Sequence, residues 1–233
     1  MIDWLLSPID PTRAHHVAGG VAWHGRLMVL AWGLLFPAGI LAARFFKVTP
    51  GQRWPAELDN KAWWHAHRGL QYAGGAAMLV ALALILAAGG AGGALLHPLL
   101  GWSVAALAAV QFGSAWARGS KGGPTSPAPD GSPRGDHYDM TARRVAFERI
   151  HKSVGYTAML AATLAIPTGL WAANAPVWMW ALLACWWALL AAAFAGLQRR
   201  GLALDTYQAI WGPDPRHPGN RRAPIGWGVR RRH

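Results

Sequence analysis

Four of the ten histidines lie near the end of a long apolar stretch, one in each of four stretches. They are His24, His67, His97 and His151. An ionisable side chain in such a segment is costly to place in lipid, which makes each of these residues a functional candidate. Two imidazoles from different helices of a bundle can hold a haem iron from the two faces of the ring. A zinc or copper site is the alternative chemistry for the same side chains.

The direction of the chain sorts these histidines into two pairs. Successive membrane helices run in opposite directions, so the starts of the first and third helices lie near one face of the membrane. The starts of the second and fourth helices lie near the other face. His24 should therefore share a level with His97, and His67 with His151. We expect two bis-histidine sites, and the absence of Asp and Glu from the five apolar cores favours haem over a metal passage.

Five apolar stretches must position these histidines. A membrane-spanning helix needs about 20 mostly apolar residues. The stretches that qualify are 21–43, 64–89, 95–116, 150–173 and 176–197. Only 14% of the 233 residues are charged and 53% are hydrophobic, whereas an ordinary soluble domain has about 25% charged residues. The sequence thus predicts an all-α membrane bundle of five transmembrane helices, with a four-helix core around two haems.

Three further residues lie close to the predicted ligands. Gly101 and Gly155 each follow a histidine by four residues on the same helix face, where a flat macrocycle needs room. Plain helix packing is the alternative explanation of both glycines. Gln71 lies one turn after His67 and is predicted to orient the imidazole, although an ordinary helix contact explains it equally well.

The distribution of charge predicts the orientation of the chain. Near the N-terminus Arg13 and Arg26 balance Asp3 and Asp10, so the whole net charge of +12 falls on the opposite side of the membrane. Cytoplasmic loops collect Lys and Arg, which predicts an outside N-terminus and a cytoplasmic C-terminus. The charge therefore indicates orientation rather than nucleic-acid binding. The expected organisation is an extracytoplasmic segment, a transmembrane domain and a basic cytoplasmic tail, at 1–20, 21–197 and 198–233.

The single cysteine narrows the cofactor chemistry. Cys185 lies inside the fifth apolar stretch. A covalently attached c-type haem requires a C-x-x-C-H motif, and a disulfide framework requires pairs of cysteines. Both are excluded by this composition.

Four segments resemble the cytochrome b561 family, of the eukaryotic type that also occurs fused to DOMON domains. They are HGRLMVLAWGLLFPAGILAARFFK (24–47), WWHAHRGLQ (63–71), HPLLGWSVAALAAVQ (97–111) and FERIHKSVGY (147–156). The resemblance covers about residues 21–173 and implies a four-helix core with two b-type haems. It assigns the ligand role in the second segment to His67 rather than His65. It also implies that Arg44, Lys47 and Arg118 are basic residues on the donor side, where an ascorbate-like anion would bind.

The expected function is transmembrane electron transfer from an ascorbate-like or quinol reductant to an extracytoplasmic acceptor. A ferric-chelate reductase, a superoxide or quinol oxidoreductase, and a haem-free metal transport or assembly subunit are the alternatives. The expected location is a bacterial inner membrane. The chain is expected to be a bacterial-like, stand-alone member of the family. Expected partners are membrane lipid and a small-molecule or protein donor and acceptor, with no nucleic acid; a homodimer is one option.

Overall fold

The computed structural model describes residues 2–15, 17, 19–90 and 95–232, and these residues are mainly helical. The helices are α1 (Ile2–Leu6), α2 (Gly19–Phe45), α3 (Ala62–Ala87), α4 (Leu96–Trp116), α5 (Ala142–Ala172), α6 (Val177–Arg199) and α7 (Thr206–Trp211). A 3₁₀ turn follows at Pro218–Arg221. Within these ranges the only β pairing is two isolated bridges, Pro8 with Pro176 and Leu204 with Arg230.

Helices α2 to α6 are the five in the described part of the chain that are long and apolar enough to cross a membrane. Large apolar side chains on these helices are exposed, among them Leu79, Leu99, Leu160 and Leu182. Such exposure would be unfavourable in water and is expected where lipid is the solvent. The prediction of an all-α fold with five spanning helices is therefore confirmed. The uncharged segment GAGGA (90–94) predicts a tight turn between α3 and α4, and residues 91–94 lie outside the described residues.

Helix α2 contains a π-helical stretch, Val29–Leu35, just before Pro37. Proline has no N–H, so it leaves a carbonyl of the preceding turn without its usual donor. The indole Nε1 of Trp186 donates a hydrogen bond of 2.7 Å to the carbonyl of Gly33, four residues before the proline. A neighbouring helix thus supplies the missing donor, which is how membrane helices tolerate proline.

Helix α5 begins at Ala142, eight residues before the apolar stretch 150–173 from which it was predicted. The added turns carry an i,i+4 ion-pair series in which Glu148 bonds to both Arg144 and Lys152. Thr141 starts the helix by accepting a hydrogen bond from the backbone N–H of Arg144. Hydropathy alone missed these turns because they are helical but charged.

The chain divides into two compact units, and the first comprises Met1–Gly39, Arg68–Ala106 and Ala158–Ala195. Its N-terminal segment is held by Asn174, which is only 2% exposed. The Asn174 amide binds the backbone of Asp10 at 3.0 Å and the carbonyl of Arg13 at 2.6 Å. The residues before α2 are therefore attached to the turn between α5 and α6.

The second unit comprises Ile40–His67, Leu107–Thr157 and Gly196–His233. Its core includes a buried cluster of Met140, Tyr207, Ile210 and Trp211. The C-terminal residues join it through backbone bonds between Asp205 and Arg230 and an Arg231–Asp205 ion pair of 2.9 Å. The residues that the sequence predicts as a tail from 198 onward are thus packed in this unit.

His137 makes the stability of the second unit depend on pH. Its ring is 3% exposed and lies edge-on to Tyr207 and Trp211, and its Nε2 is 3.8 Å from Glu148 Oε1. Burial, aided by the Arg144 guanidinium, lowers the pKa of His137 to about 3. Between that value and pH 6.5 the unfolded chain binds a proton that the folded chain does not, so stability falls as the pH is lowered through this range.

In the wild type, the free energy of unfolding should fall by about 1.4 kcal/mol for each pH unit between pH 6.5 and 4 because of His137. We expect His137→Phe to abolish this pH dependence. Phenylalanine keeps the aromatic packing but does not titrate. Thermal unfolding in detergent at several pH values measures the slope. His65→Phe, at an exposed position, is the matched control and should keep the wild-type slope. Equal slopes for His137→Phe and wild type would contradict the assignment.

Candidate haem sites

The first histidine pair lies in the first unit, where α2 presents His24 and α4 presents His97. Their ring centroids are 6.3 Å apart and their planes are nearly perpendicular, at 84°. His24 Nδ1 lies 3.0 Å from the carbonyl of Ala81, and His97 Nδ1 lies 3.1 Å from that of Ala165. A carbonyl can only accept, so each Nδ1 carries the proton and each Nε2 keeps a lone pair for a metal.

The second pair lies in the second unit, where α3 presents His67 and α5 presents His151. The ring centroids are again 6.3 Å apart, with an interplanar angle of 82°. The His151 ring also contacts Phe147, with centroids 5.1 Å apart. On the other side of the pair, the Trp64 ring lies near His67, with ring centroids 6.4 Å apart. Each histidine of this pair therefore has an aromatic neighbour.

The separation of the rings fits a metal ion held between two imidazoles. An iron bound at about 2 Å from each nitrogen would place the ring centroids about 6 Å apart. Both pairs have this separation. Each pair would supply two imidazole nitrogens to a haem iron, whose other ligands belong to the porphyrin. In the described ranges no three His, Cys, Asp or Glu side chains group together as a metal site, and a haem needs only two.

A buried nitrogen distinguishes the second pair from the first. His151 Nδ1 has no hydrogen-bond partner among the described residues, and neither has the buried Oε1 of Gln111. Gln111 Nε2 donates a hydrogen bond of 2.8 Å to the His151 carbonyl. Gln111 therefore contacts the residue that is predicted to bind the metal. The role of Gln71 stays a prediction, since its amide donates to the carbonyl of Phe36 at 3.3 Å.

Three glycines near the histidine pairs differ in what surrounds them. A Cβ added at Gly101 would meet nothing within 4 Å, so this position is open. A Cβ at Gly155 would collide with the amide nitrogen of Gln111. Gly169, which sequence reasoning missed, is where α5 passes His97: a Cβ there would lie 2.8 Å from Cε1 of the ring. No periodic signal in the sequence marks this third glycine.

Gly169→Ala is expected to displace the His97 ring and weaken the first site, because the added methyl group overlaps the imidazole. Overpacking of this kind costs about 1–3 kcal/mol, which corresponds to roughly 5-fold to 150-fold weaker ligation. Gly196→Ala, on α6 at a position where an added Cβ would meet nothing within 4 Å, is the control and should have little effect. Haem retention during dilution and low-spin electron paramagnetic resonance signals measure both variants. Equal behaviour of the two would refute the contact.

The three basic residues predicted on the donor side are engaged within the second unit. Arg44 is 7% exposed and donates to the Tyr156 hydroxyl at 2.7 Å and to the carbonyl of Trp227 at 2.6 Å. Lys47 is 6% exposed and donates to the carbonyl of Leu204 at 3.0 Å. Burial is the main reason that the pKa of Lys47 is lowered to about 7, and the neighbouring Lys152 ammonium contributes to the shift.

The third basic residue lies beside the second pair. The Arg118 guanidinium is 4.5 Å from the ring centroid of Trp64, the residue that contacts His67. A cation stacked on an aromatic ring in this way is stabilised by the ring electrons. Binding of a reductant by Arg44, Lys47 or Arg118 stays a prediction.

The chain is similar to the cytochrome b561, DM13 and DOMON domain-containing protein of Arabidopsis thaliana. The two are 31% identical over 148 residues, which is 63% of this chain and 14% of the relative. The chain thus spans 14% of the length of the curated relative that it matches. No protein-family profile matches the chain, and no solved structure is similar to it. The five apolar helices and this similarity together support an integral membrane protein. The similarity also supports the resemblance to the cytochrome b561 family.

Proposed function

We propose that the protein carries single electrons across a membrane through two b-type haems, each held by one histidine pair. The observation that carries the proposal is the repeated geometry of the pairs: each has a ring separation of 6.3 Å, and the interplanar angles are 84° and 82°. Four different helices supply the four ligands. Random burial of histidines would not be expected to produce the same arrangement twice.

The histidines determine what kind of chemistry the sites support. Each Nε2 would bind iron while Nδ1 holds the ring orientation through a carbonyl in the first pair. When bound, haem supplies an iron that alternates between the ferric and ferrous states. With both histidines of a pair bound to the iron, no position would be left open for a small ligand, so the sites would favour outer-sphere electron transfer over oxygen activation.

Charge supports an electron flow directed from the cytoplasm outward. The second unit is rich in Lys and Arg, and such residues collect on the cytoplasmic side, so the His67–His151 pair would lie near the cytoplasm. A positive rim raises the local concentration of an anionic reductant such as ascorbate, while a quinol would arrive from the lipid. The acceptor would then be extracytoplasmic, and a bacterial inner membrane is the proposed location.

A reduced-minus-oxidised spectrum and a haem assay on the purified protein test this function. We expect b-type bands, two haems per chain, and reduction of both haems by reductant trapped inside proteoliposomes. An external ferric acceptor should then be reduced in step with oxidation of the trapped donor. A protein without haem that binds zinc or copper instead would contradict the proposal and favour a metal transport or assembly role.

A further inference from the structure

A cavity of about 400 Å³ in the second unit lies between α5 and the C-terminal segment. Arg149, Lys152, Ser153 and Tyr156 of α5 form one wall, and residues 223–227 form the other. The second wall is fixed in place, since Lys152 Nζ donates to the carbonyl of Ile225 at 2.7 Å. The cavity is therefore built by two segments far apart in sequence.

One cationic side chain of this cavity has no partner among the described residues. Lys152 is shared between Glu148 and the Ile225 carbonyl. Arg149 is exposed, and its guanidinium has no hydrogen bond or ion pair with any residue in the described ranges. Glu148 is already bonded to Arg144 and Lys152, so it leaves the Arg149 charge uncompensated.

The cavity lies where lipid headgroups are expected. Charged residues of α5 end at Lys152, and from Val154 to the end of the helix the residues are uncharged. Two aromatic side chains at this level are exposed, Tyr156 at 39% and Trp227 at 74%. Aromatic residues of this kind concentrate at the membrane interface, where the ring contacts apolar groups and the polar atom contacts water. A polar opening beside apolar walls of Pro224 and Ile225 suits an amphipathic anion.

We propose that this cavity binds the phosphate headgroup of an anionic phospholipid, with Arg149 as the principal charge partner. The headgroup would lie against the Ser153 hydroxyl, while the acyl chains would extend along the exposed apolar side of α5. The bound lipid would cover Trp227 and hold the C-terminal segment against the helix. A soluble anion offers the same charge but lacks the acyl chains that the exposed apolar surface would contact.

Native mass spectrometry of the detergent-solubilised full chain, titrated with phosphatidylglycerol or phosphatidylcholine, tests the proposal. Wild type should retain phosphatidylglycerol in preference. Arg149→Gln should weaken the tightest binding about five-fold, the effect of removing one interfacial cation. Arg143→Gln, an exposed arginine on the same helix in a separate groove, carries the same charge change and should bind as wild type. Arg149→Lys should keep most of the binding.

Three results would overturn the proposal. Unchanged phosphatidylglycerol binding by Arg149→Gln would exclude the site, and an equal loss in Arg143→Gln would show attraction to net charge only. Competition by inorganic phosphate, without any preference between the two lipids, would assign the cavity to a soluble anion. Thermal unfolding of each variant checks that the fold is intact. Because lipid retention is measured without redox activity, it is independent of whether the protein transfers electrons.

Discussion

Replacing His67 with alanine is expected to lower the haem content of the purified protein from two per chain to one. The first pair, His24 and His97, belongs to a different unit and keeps both of its ligands. An alanine leaves the second iron with His151 alone, which is a weak attachment for a non-covalent haem. A haem assay, with redox titration of the remaining haem, measures the loss. The remaining component should titrate as a single species.

Two further variants make this test specific. His24→Ala should remove the other haem, so the two single variants should retain haems of different potential. His65→Ala, two residues before His67 on an exposed part of the helix, is the matched control and should retain both. Loss of both haems from His67→Ala in a chain that still unfolds cooperatively would contradict two independent sites. Full retention by His67→Ala would refute the ligand assignment.

Glu148→Ala is expected to destabilise the protein by about 3 kcal/mol, because it leaves cations in a buried position without their counter-ion. Glu148 is 5% exposed and accepts from Arg144 Nε at 3.1 Å and from Lys152 Nζ at 2.8 Å. Thermal or denaturant unfolding in detergent measures the change. Glu148→Gln should cost less, since an amide oxygen still accepts one hydrogen bond.

The chain contains a matched exposed pair for comparison. Arg53 and Glu57 also form an i,i+4 ion pair, at 2.7 Å, but their side chains are 82% and 47% exposed. Glu57→Ala should therefore cost about 0.5 kcal/mol or less. If the two substitutions have similar effects, the buried network around Glu148 does not stabilise α5 in the way the structure indicates.

Much of the fold could be predicted from hydropathy. The prediction failed at the start of α5, where the helical residues are charged rather than apolar. The five spanning helices were predicted within a few residues, apart from the start of α5. The turns from Ala142 to Arg149 contain three arginines and Glu148, so they are not apolar, yet they are helical because ion pairs and packing in the second unit stabilise them. The sequence predicts a basic tail from residue 198, and its composition does not reveal contacts such as that of Asp205 with Arg231.

The ligand candidates were accessible from the sequence because they depend on one-dimensional information. A histidine at the end of an apolar stretch, combined with alternating helix direction, is enough to predict which histidines share a level. The surroundings of the rings were not accessible. Gly169 lies close to His97 although the two residues are far apart in sequence, and Gln111 contacts His151 from a different helix. Such contacts depend on helix rotation and crossing, which a hydropathy pattern does not determine.

The sequence alone thus determined the solvent, the number of spanning helices and the four histidines, because lipid imposes a length and an apolar composition that can be counted along the chain. Only the tertiary structure decided that the rings of each pair lie 6.3 Å apart. It also decided that Arg44 and Lys47 are buried beneath the C-terminal residues while Arg149 stays exposed. The physical reason is that ring separation and burial are set by the packing of residues distant in sequence, and composition records a charge without recording what covers it.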